Sequence, residues 1–394
     1  MRILIANDIP IQYVCGSSNF IRGISKEFIR EGHEVLIVTP ARTTHHEYYV
    51  FDGIPQFGVR SYPSIVQKTF RIVPPIFIKQ SMRKAILQLD PNVVHIQSQF
   101  FIPKLVLDIA EELNIAAVGT NHFVPENAMP YIPVPKAIVP FIERLLWKQV
   151  HWIYKKCDLV TSPTQTAVNF LVKSGFPKPV YPVSNGITLE RFSREHANGQ
   201  IREKYHLPAK RILLYVGRVD AEKHIEVVVK ALPAVLAKVD LHFVVAGRGN
   251  QEEKLINLAK DLHVGNNVTL TGYVPDEDLP ALFRTSDCFV NAGTAELQCI
   301  AAMEAMASEI PVILANAIAL PELVDHGVSG YLFRPGDERD LAEKIIDMFS
   351  DDSRRLAMGQ QSFEKVKKHD VRNVAKRFLE LYAQAVQIQH NSRS

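Results

Sequence analysis

Two glutamates, Glu296 and Glu304, stand eight residues apart in the stretch AELQCIAAMEAMA, Ala295–Ala307, among small apolar residues. Taken as one helix, that spacing sets them roughly 12 Å apart along the axis. The distance suits the two ends of one elongated ligand. It is too long for an acid/base pair working on a single glycosidic bond, which needs about 5–9.5 Å. A solvated helical face also carries glutamates, but Ile300, Ala301, Ala302, Met303, Ala305 and Met306 argue against a wet face here. The helix N-terminus, expected at Glu296, adds N–H donors for a phosphate.

A second group of candidates lies upstream. In YVGRVDAEKHI, Gly217 opens a tight turn and Arg218 and Lys223 follow as a helix begins. Two cations beside a helix N-terminus make a place for a diphosphate, although Arg and Lys are also ordinary in a solvated turn. In VVAGRGNQEEKL, Gly247 and Gly249 allow backbone to approach a ligand closely, or simply form a turn that caps the next helix. The triplet Asp276-Glu277-Asp278 is formally a carboxylate pair that could hold a divalent cation. Its place after Pro275 favours acids in the first turn of a helix, where the macrodipole stabilises them. The loop Gly272–Pro275, with Tyr273 and Val274, sits at a strand end and could line a pocket for a base. His122, in GTNHF, also follows a strand; by itself it reads as a satisfied buried histidine.

These residues need a scaffold that carries strand ends to one side. RILIA (Arg2–Ala6), Glu34–Thr39, Val93–Gln97 and Ala116–Thr120 read as short apolar strands, and CDLVTSPT and KPVYPVSNG supply two more. Helical patterns run from about Asn19 to Glu31 and near Leu105–Leu113. The scheme restarts at Arg211–Val216 and continues through His242–Ala246, Val268–Thr271, Cys288–Asn291, Val312–Ala315 and Tyr331–Phe333. Strands alternating with helices give parallel, doubly wound sheets. The fold class is therefore α/β, with two Rossmann-like domains facing across a cleft where ligands meet the carboxyl ends of the strands. Residues 1–195 form the first domain and 196–365 the second, with a polar linker near Ser193–Lys210. Residues 366–394 are expected to form a helix packing back on the first domain. Neither half carries the GxGxxG of a dinucleotide site.

Composition narrows the class. At 394 residues and 47% hydrophobic content, each half can bury its own core, and a net charge of +3 gives no basic footprint for nucleic acid. The start MRILIANDIP has no basic and long apolar leader, and no apolar run reaches the roughly 18 residues of a spanning helix. Cys15, Cys157, Cys288 and Cys299 are scattered and suit reduced thiols. A cytoplasmic location is expected, with contact to the inner face of the cell membrane left open.

The order of motifs GR…EK, AGRG and E-x7-E, followed by EAMASEIPVI and ALPELVDHGVSGYLF, resembles the retaining glycosyltransferases of family four, which have the GT-B fold. GHEVLIVTP and VSNGITLERF resemble that family's N-terminal half, so the likeness spans nearly the whole chain. The resemblance implies a hexosyltransferase with a nucleotide-sugar donor, UDP-glucose first and GDP-mannose next, and no metal cofactor. It implies that Glu304 holds the donor ribose and Glu296 the donor sugar, with Gly217, Gly247, Tyr273, Val274, Cys299 and Ile300 lining the donor. Arg218 and Lys223 would grip the diphosphate, His122 would meet the transferred sugar, and Gly16 in the first loop would lie by the phosphates and acceptor. Two positions depart from the family: Cys299 replaces the usual glycine, and Gly16 is followed by Ser17 where a second glycine is usual.

The acceptor is less defined. Met129–Lys156 mixes aromatic and apolar residues with Lys and Arg, as does Phe57–Lys84, and such composition suits either an interfacial helix on anionic lipid or a core helix with basic exposed positions. AELQ resembles the SETQ of diacylglycerol glucosyltransferases. A glycerolipid acceptor is one reading and a soluble metabolite another. A nucleotide-sugar epimerase of the same fold and a catalytically decayed binding protein are the alternatives to transfer.

Overall fold

The computed structural model describes residues 1–13, 16–63, 71–74, 78–129, 135–192 and 200–391. Cys15, the first part of the expected linker and parts of both basic-apolar segments lie outside these residues. The chain forms two compact units, Met1–Gly186 with Val371–Ser394, and Ile187–Asp370. The first boundary therefore falls at Gly186, where 195 was expected, and the chain re-enters the first unit at Val371.

The first unit is built on an eight-stranded sheet. Its strands are β1 (Arg2–Ala6), β2 (Glu34–Pro40), β3 (Glu47–Phe51), β4 (Ile54–Val59), β7 (Val93–Ile96), β8 (Ala116–Thr120), β9 (Leu159–Ser162) and β10 (Val180–Pro182), and the order is β10-β9-β8-β7-β1-β2-β4-β3. Between β4 and β7, β5 (Tyr62–Pro63) and β6 (Arg71–Ile72) form a separate antiparallel pair. Parallel strands covered on both faces carry continuous apolar runs, and Ile3, Leu4, Ile5 and Ala6 are all fully buried. One face packs with Ile102, Val106 and Ile109 of the helix Phe101–Leu113. The other packs with Phe20, Ile24 and Phe28 of the helix Gly16–Arg30 and with Ala375, Phe378 and Tyr382 of the final helix Val371–Asn391. Asp8, in the turn after β1, accepts Ser98 Oγ at 2.5 Å and the Ile102 amide at 2.9 Å, which ties β1 and β7 to the start of the helix Phe101–Leu113.

One element escapes the alternating pattern. β3 pairs antiparallel with β4 at the sheet edge, through a turn in which Asp52 and Gly53 both have positive φ, 55° and 77°. Two such residues in succession fit the mirror-image turn of a two-residue hairpin.

The second unit holds a six-stranded parallel sheet of β11 (Arg211–Val216), β12 (Leu241–Ala246), β13 (Val268–Gly272), β14 (Cys288–Asn291), β15 (Val312–Ala315) and β16 (Gly330–Phe333), in the order β13-β12-β11-β14-β15-β16. The reversal of strand order lies between β11 and β14, and the loops after these two strands carry Arg218, Lys223 and Glu296. Cys157, Cys288 and Cys299 are buried free thiols.

Candidate active site

At the carboxyl ends of β11 and β12 the chain leaves through two glycines. Gly217 has φ 151° and Gly247 φ 152°, and the amides of both bond to the neighbouring strand end, Gly217 to Ala246 O at 3.0 Å and Gly247 to Gly272 O at 2.8 Å. A Cβ on Gly247 would overlap the Gly217 carbonyl oxygen, and one on Gly249 the Val219 carbonyl. At Gly247 and Gly249 the absent Cβ permits a close approach of backbone to backbone.

Beyond Gly217, Arg218 is largely exposed and bonds to the carboxylates of Asp220 and, at 2.5 Å, Glu222. Lys223 closes a single 3-10 turn, Ala221–Lys223, and the helix proper starts at Ile225. Its Nζ lies 2.7 Å from Glu296 Oε1, with the two side chains only 16% and 15% exposed. Burial works to lower the Lys223 pKa, and the Glu296 carboxylate more than offsets it, so the ammonium holds its proton above the ordinary lysine range.

Glu296 is not on a helix. The segment from Ala292 to Cys299 is irregular and the helix runs Ile300–Ala307, so the distance along one axis inferred from the sequence does not apply. Asn291, the buried last residue of β14, organises this loop: its Oδ1 accepts the Gly293 amide at 2.7 Å, and its Nδ2 lies 3.1 Å from Cys299 Sγ and 3.5 Å from Glu296 Oε1. His224, held in the left-handed region at φ 49°, reaches Thr294 Oγ1 at 3.1 Å from the other side. Neither residue stood out in the sequence, because their partners are set by the crossover of two separate βα loops. Cys299 sits at the cap of the helix with its thiol pushed up to about 12 by burial, and Ile300 is packed half-buried against the core.

Glu304 lies one turn into that helix and is 8% exposed. Among the described residues no side chain or amide donates to its carboxylate. Burial pushes its pKa up to about 7, against the field of Arg191, with Asp276 adding to the rise. Arg191, from the 3-10 turn Leu189–Phe192, donates to the Asp276 carbonyl and had no signal in the sequence beyond its place in NGITLERF. Val274 belongs to the hydrophobic core, while Tyr273 is 55% exposed. The acids beside them do not open a helix as expected. The helix begins at Leu279, and Asp278 caps no amide; its carboxylate instead takes Lys204 Nζ at 2.6 Å and Tyr205 Oη at 2.5 Å.

In the first unit, His122 follows β8. Its Nε2 donates to Gln97 Oε1 at 2.9 Å, and the Phe20 ring meets it edge-on at 5.5 Å between centroids. Burial pulls its pKa down to about 4, so the ring is neutral at pH 7. Gly16 is exposed and is the first residue of the helix Gly16–Arg30, which starts earlier than Asn19.

The family comparisons fall on both units. Residues 14–191 match Glycosyltransferase Family 4, and residues 198–365 match Glycosyl transferases group 1. The chain belongs to glycosyltransferase family four. It is 28% identical to the alpha-monoglucosyldiacylglycerol synthase of Streptococcus pneumoniae, over 98% of this chain and 86% of that protein. It is 23% identical to a GDP-mannose-dependent alpha-mannosyltransferase of Corynebacterium glutamicum, over 98% of this chain and 89% of that one. The sucrose-phosphate synthase structure from Thermosynechococcus elongatus superposes with a TM-score of 0.78 at 18% identity, covering 97% of this chain and 98% of that one, which establishes the GT-B fold. This family-four glycosyltransferase is therefore an enzyme of the hexosyltransferase class.

Proposed function

We propose that the enzyme transfers a hexose from a nucleotide diphosphate sugar to a hydroxyl of a glycerolipid, with retention of configuration and without a metal. UDP-glucose is the first donor and GDP-mannose the second. The observation that carries the donor half is Glu304: a buried carboxylate that accepts no hydrogen bond from a described residue is poised for the paired hydroxyls of a ribose, which would supply its missing donors. Glu296 takes hydroxyls of the donor sugar. Lys223 takes the diphosphate: an ammonium has three donors and Glu296 occupies one, so two remain without displacing any partner. Arg218 must first exchange Asp220 or Glu222 for a phosphate oxygen. In this reading the departing diphosphate is stabilised by Lys223, Arg218 and the amides at the start of the helix Ile300–Ala307, and no divalent cation takes part. Asp278, spent on Lys204 and Tyr205, supports that reading. His122 presents a neutral ring to the transferred sugar.

A lipid acceptor is supported by the helix Val139–Tyr154, which leaves Phe141 63%, Leu145 47% and Trp152 50% exposed beside the exposed Arg144 and Lys148. An apolar stripe flanked by basic residues suits the surface of an anionic membrane, which would place the enzyme peripherally on the inner face of the cell membrane. The relative from Streptococcus pneumoniae is named an alpha-monoglucosyldiacylglycerol synthase, and a glycerolipid acceptor here is in keeping with that name. Among the described residues no helix is long and apolar enough to cross a membrane.

A thermal-shift screen with UDP, GDP and ADP sugars tests the donor. A ligand at 100 times its dissociation constant stabilises by about 2.7 kcal/mol. Stabilisation by a UDP or GDP sugar, followed by radiolabel transfer into diacylglycerol vesicles, is the expected result. Failure of every nucleotide sugar to shift the transition overturns the donor assignment.

A further inference from the structure

We propose that Gln97 is a positioning residue for the reaction: it fixes His122 in the tautomer with the proton on Nε2, so that Nδ1 faces the reacting sugar as an acceptor. The inference rests on the reading of His122 given above, and no motif in the sequence marks Gln97.

The geometry lies wholly within the first unit. Gln97 stands at the end of β7 and is 2% exposed. Its Oε1 is 2.9 Å from His122 Nε2, and a carbonyl oxygen can only accept, so that nitrogen carries the hydrogen. Among the described residues nothing bonds to His122 Nδ1, which keeps its lone pair. The other face of the same amide meets the fully buried His95, Nε2 of Gln97 lying 3.1 Å from Nδ1 and 2.9 Å from Nε2 of that ring.

His95 is itself fixed. Its Nδ1 is 2.6 Å from Tyr382 Oη and its Nε2 is 2.7 Å from Thr120 Oγ1. Tyr382 Oη has no other hydrogen-bond partner among the described residues, so the buried phenol donates to Nδ1 and His95 carries its hydrogen on Nε2. That hydrogen goes to Thr120 Oγ1, which lies 2.7 Å from Thr161 Oγ1, and Thr161 Oγ1 in turn donates weakly to Gly119 O at 3.4 Å. Burial holds His95 at about 3 and raises Tyr382 well above its ordinary range, so neither ionises near neutrality to reverse it. The Gln97 amide nitrogen, nearly equidistant from the two ring nitrogens, sits over the face of the His95 ring, where an N–H meets the π-cloud favourably and a carbonyl oxygen does not, and this turns Oε1 to His122.

A histidine whose tautomer is set by the partner of its second nitrogen is a familiar way to aim a ring nitrogen at a substrate. The partner is usually a backbone carbonyl or a carboxylate. A neutral amide does the same without attracting a proton to the ring, which a carboxylate would do.

The test uses the full-length enzyme with ¹⁵N-labelled histidine. Nitrogen chemical shifts should report His122 as the Nε2–H tautomer in the wild type and as a mixture in Gln97→Leu. In that variant kcat should fall about tenfold or more, with KM for the donor little changed, since Gln97 does not touch substrate. The second variant, Gln97→Glu, keeps the side chain's length and acceptor. It places a carboxylate on the ring, so the His122 pKa should rise from about 4 and the acid limb of the pH–rate profile should move to higher pH with it. An unchanged His122 tautomer in Gln97→Leu, or an unmoved His122 titration in Gln97→Glu, overturns the proposal. His122→Ala with wild-type kcat would instead overturn the reading of His122, and the nitrogen shifts would still decide what Gln97 does.

Discussion

Lys223 Nζ and Glu296 Oε1 lie 2.7 Å apart, joining two βα loops that are 73 residues apart in sequence. Both side chains are more than four-fifths buried, and each is the other's charge partner. Breaking a buried pair by removing one member leaves an uncompensated charge, which is far costlier than removing both. The pair therefore presets the two residues to which the proposed function assigns diphosphate and sugar.

Lys223→Ala should lower kcat/KM by about 10²-fold or more, the scale of losing one electrostatic donor to a departing group. Arg218→Ala should cost about tenfold, because its guanidinium already serves Asp220 and Glu222. Steady-state kinetics on both variants decides between them. Equal losses, or a larger loss for Arg218, would show that the carboxylates release Arg218 to the diphosphate at no cost.

Glu304→Ala should weaken nucleoside diphosphate binding by around tenfold or more, the worth of hydrogen bonds to a charged group at about 1.5–3 kcal/mol. Calorimetry on the folded variant checks this, and an unchanged affinity removes Glu304 from the ribose.

The same residue makes a pH prediction. The folded pKa of Glu304, about 7, is above its ordinary 4.5, so the folded state holds a proton that the unfolded state has released. Its contribution is least unfavourable below about pH 4.5, and stability falls as pH rises from there to about 7, levelling off above. At roughly 1.4 kcal/mol per unit, Glu304→Gln should gain up to about 3 kcal/mol relative to wild type at pH 8 and little at pH 4.5. Urea melts at the two pH values measure the difference. Nucleotide affinity in the wild type should rise across the same interval, because the ionised carboxylate is the better acceptor.

Under the proposed function, in which side-chain cations take the charge of the departing diphosphate, activity should persist in excess EDTA. Complete loss on chelation with recovery on added magnesium or manganese would refute this and return attention to Asp276–Asp278.

Co-sedimentation with anionic vesicles should weaken as salt rises and weaken again in Phe141→Asp with Leu145→Asp, or in Lys148→Glu with Lys155→Glu. Each basic residue near such a surface contributes about 1 kcal/mol, screened within a Debye length. Lys156 is no part of this test, because it is tied to Asp108 and Glu111 at 2.8 Å each. Failure to bind anionic vesicles at low salt would leave a soluble acceptor.

The strands outside residues 47–72, the parallel pairing that dominates both sheets and the position of the motifs after strands were readable from local pattern. A strand buried on both faces shows itself as an uninterrupted apolar run, as Arg2–Ala6 and Arg211–Val216 do, and a turn shows itself by its glycine. Even the overlooked edge hairpin carried its Asp52-Gly53 signal. The pairings did not. Nothing near Lys223 names Glu296, and nothing near His95 names Tyr382, 287 residues away, because these partners meet only where separate crossovers deliver them. Glu296 shows the limit most plainly. Its sequence neighbours read as helix, yet Asn291 spends its amide on Gly293 and Cys299 and holds the loop open until Ile300, a choice made by side-chain hydrogen bonds that no periodicity records.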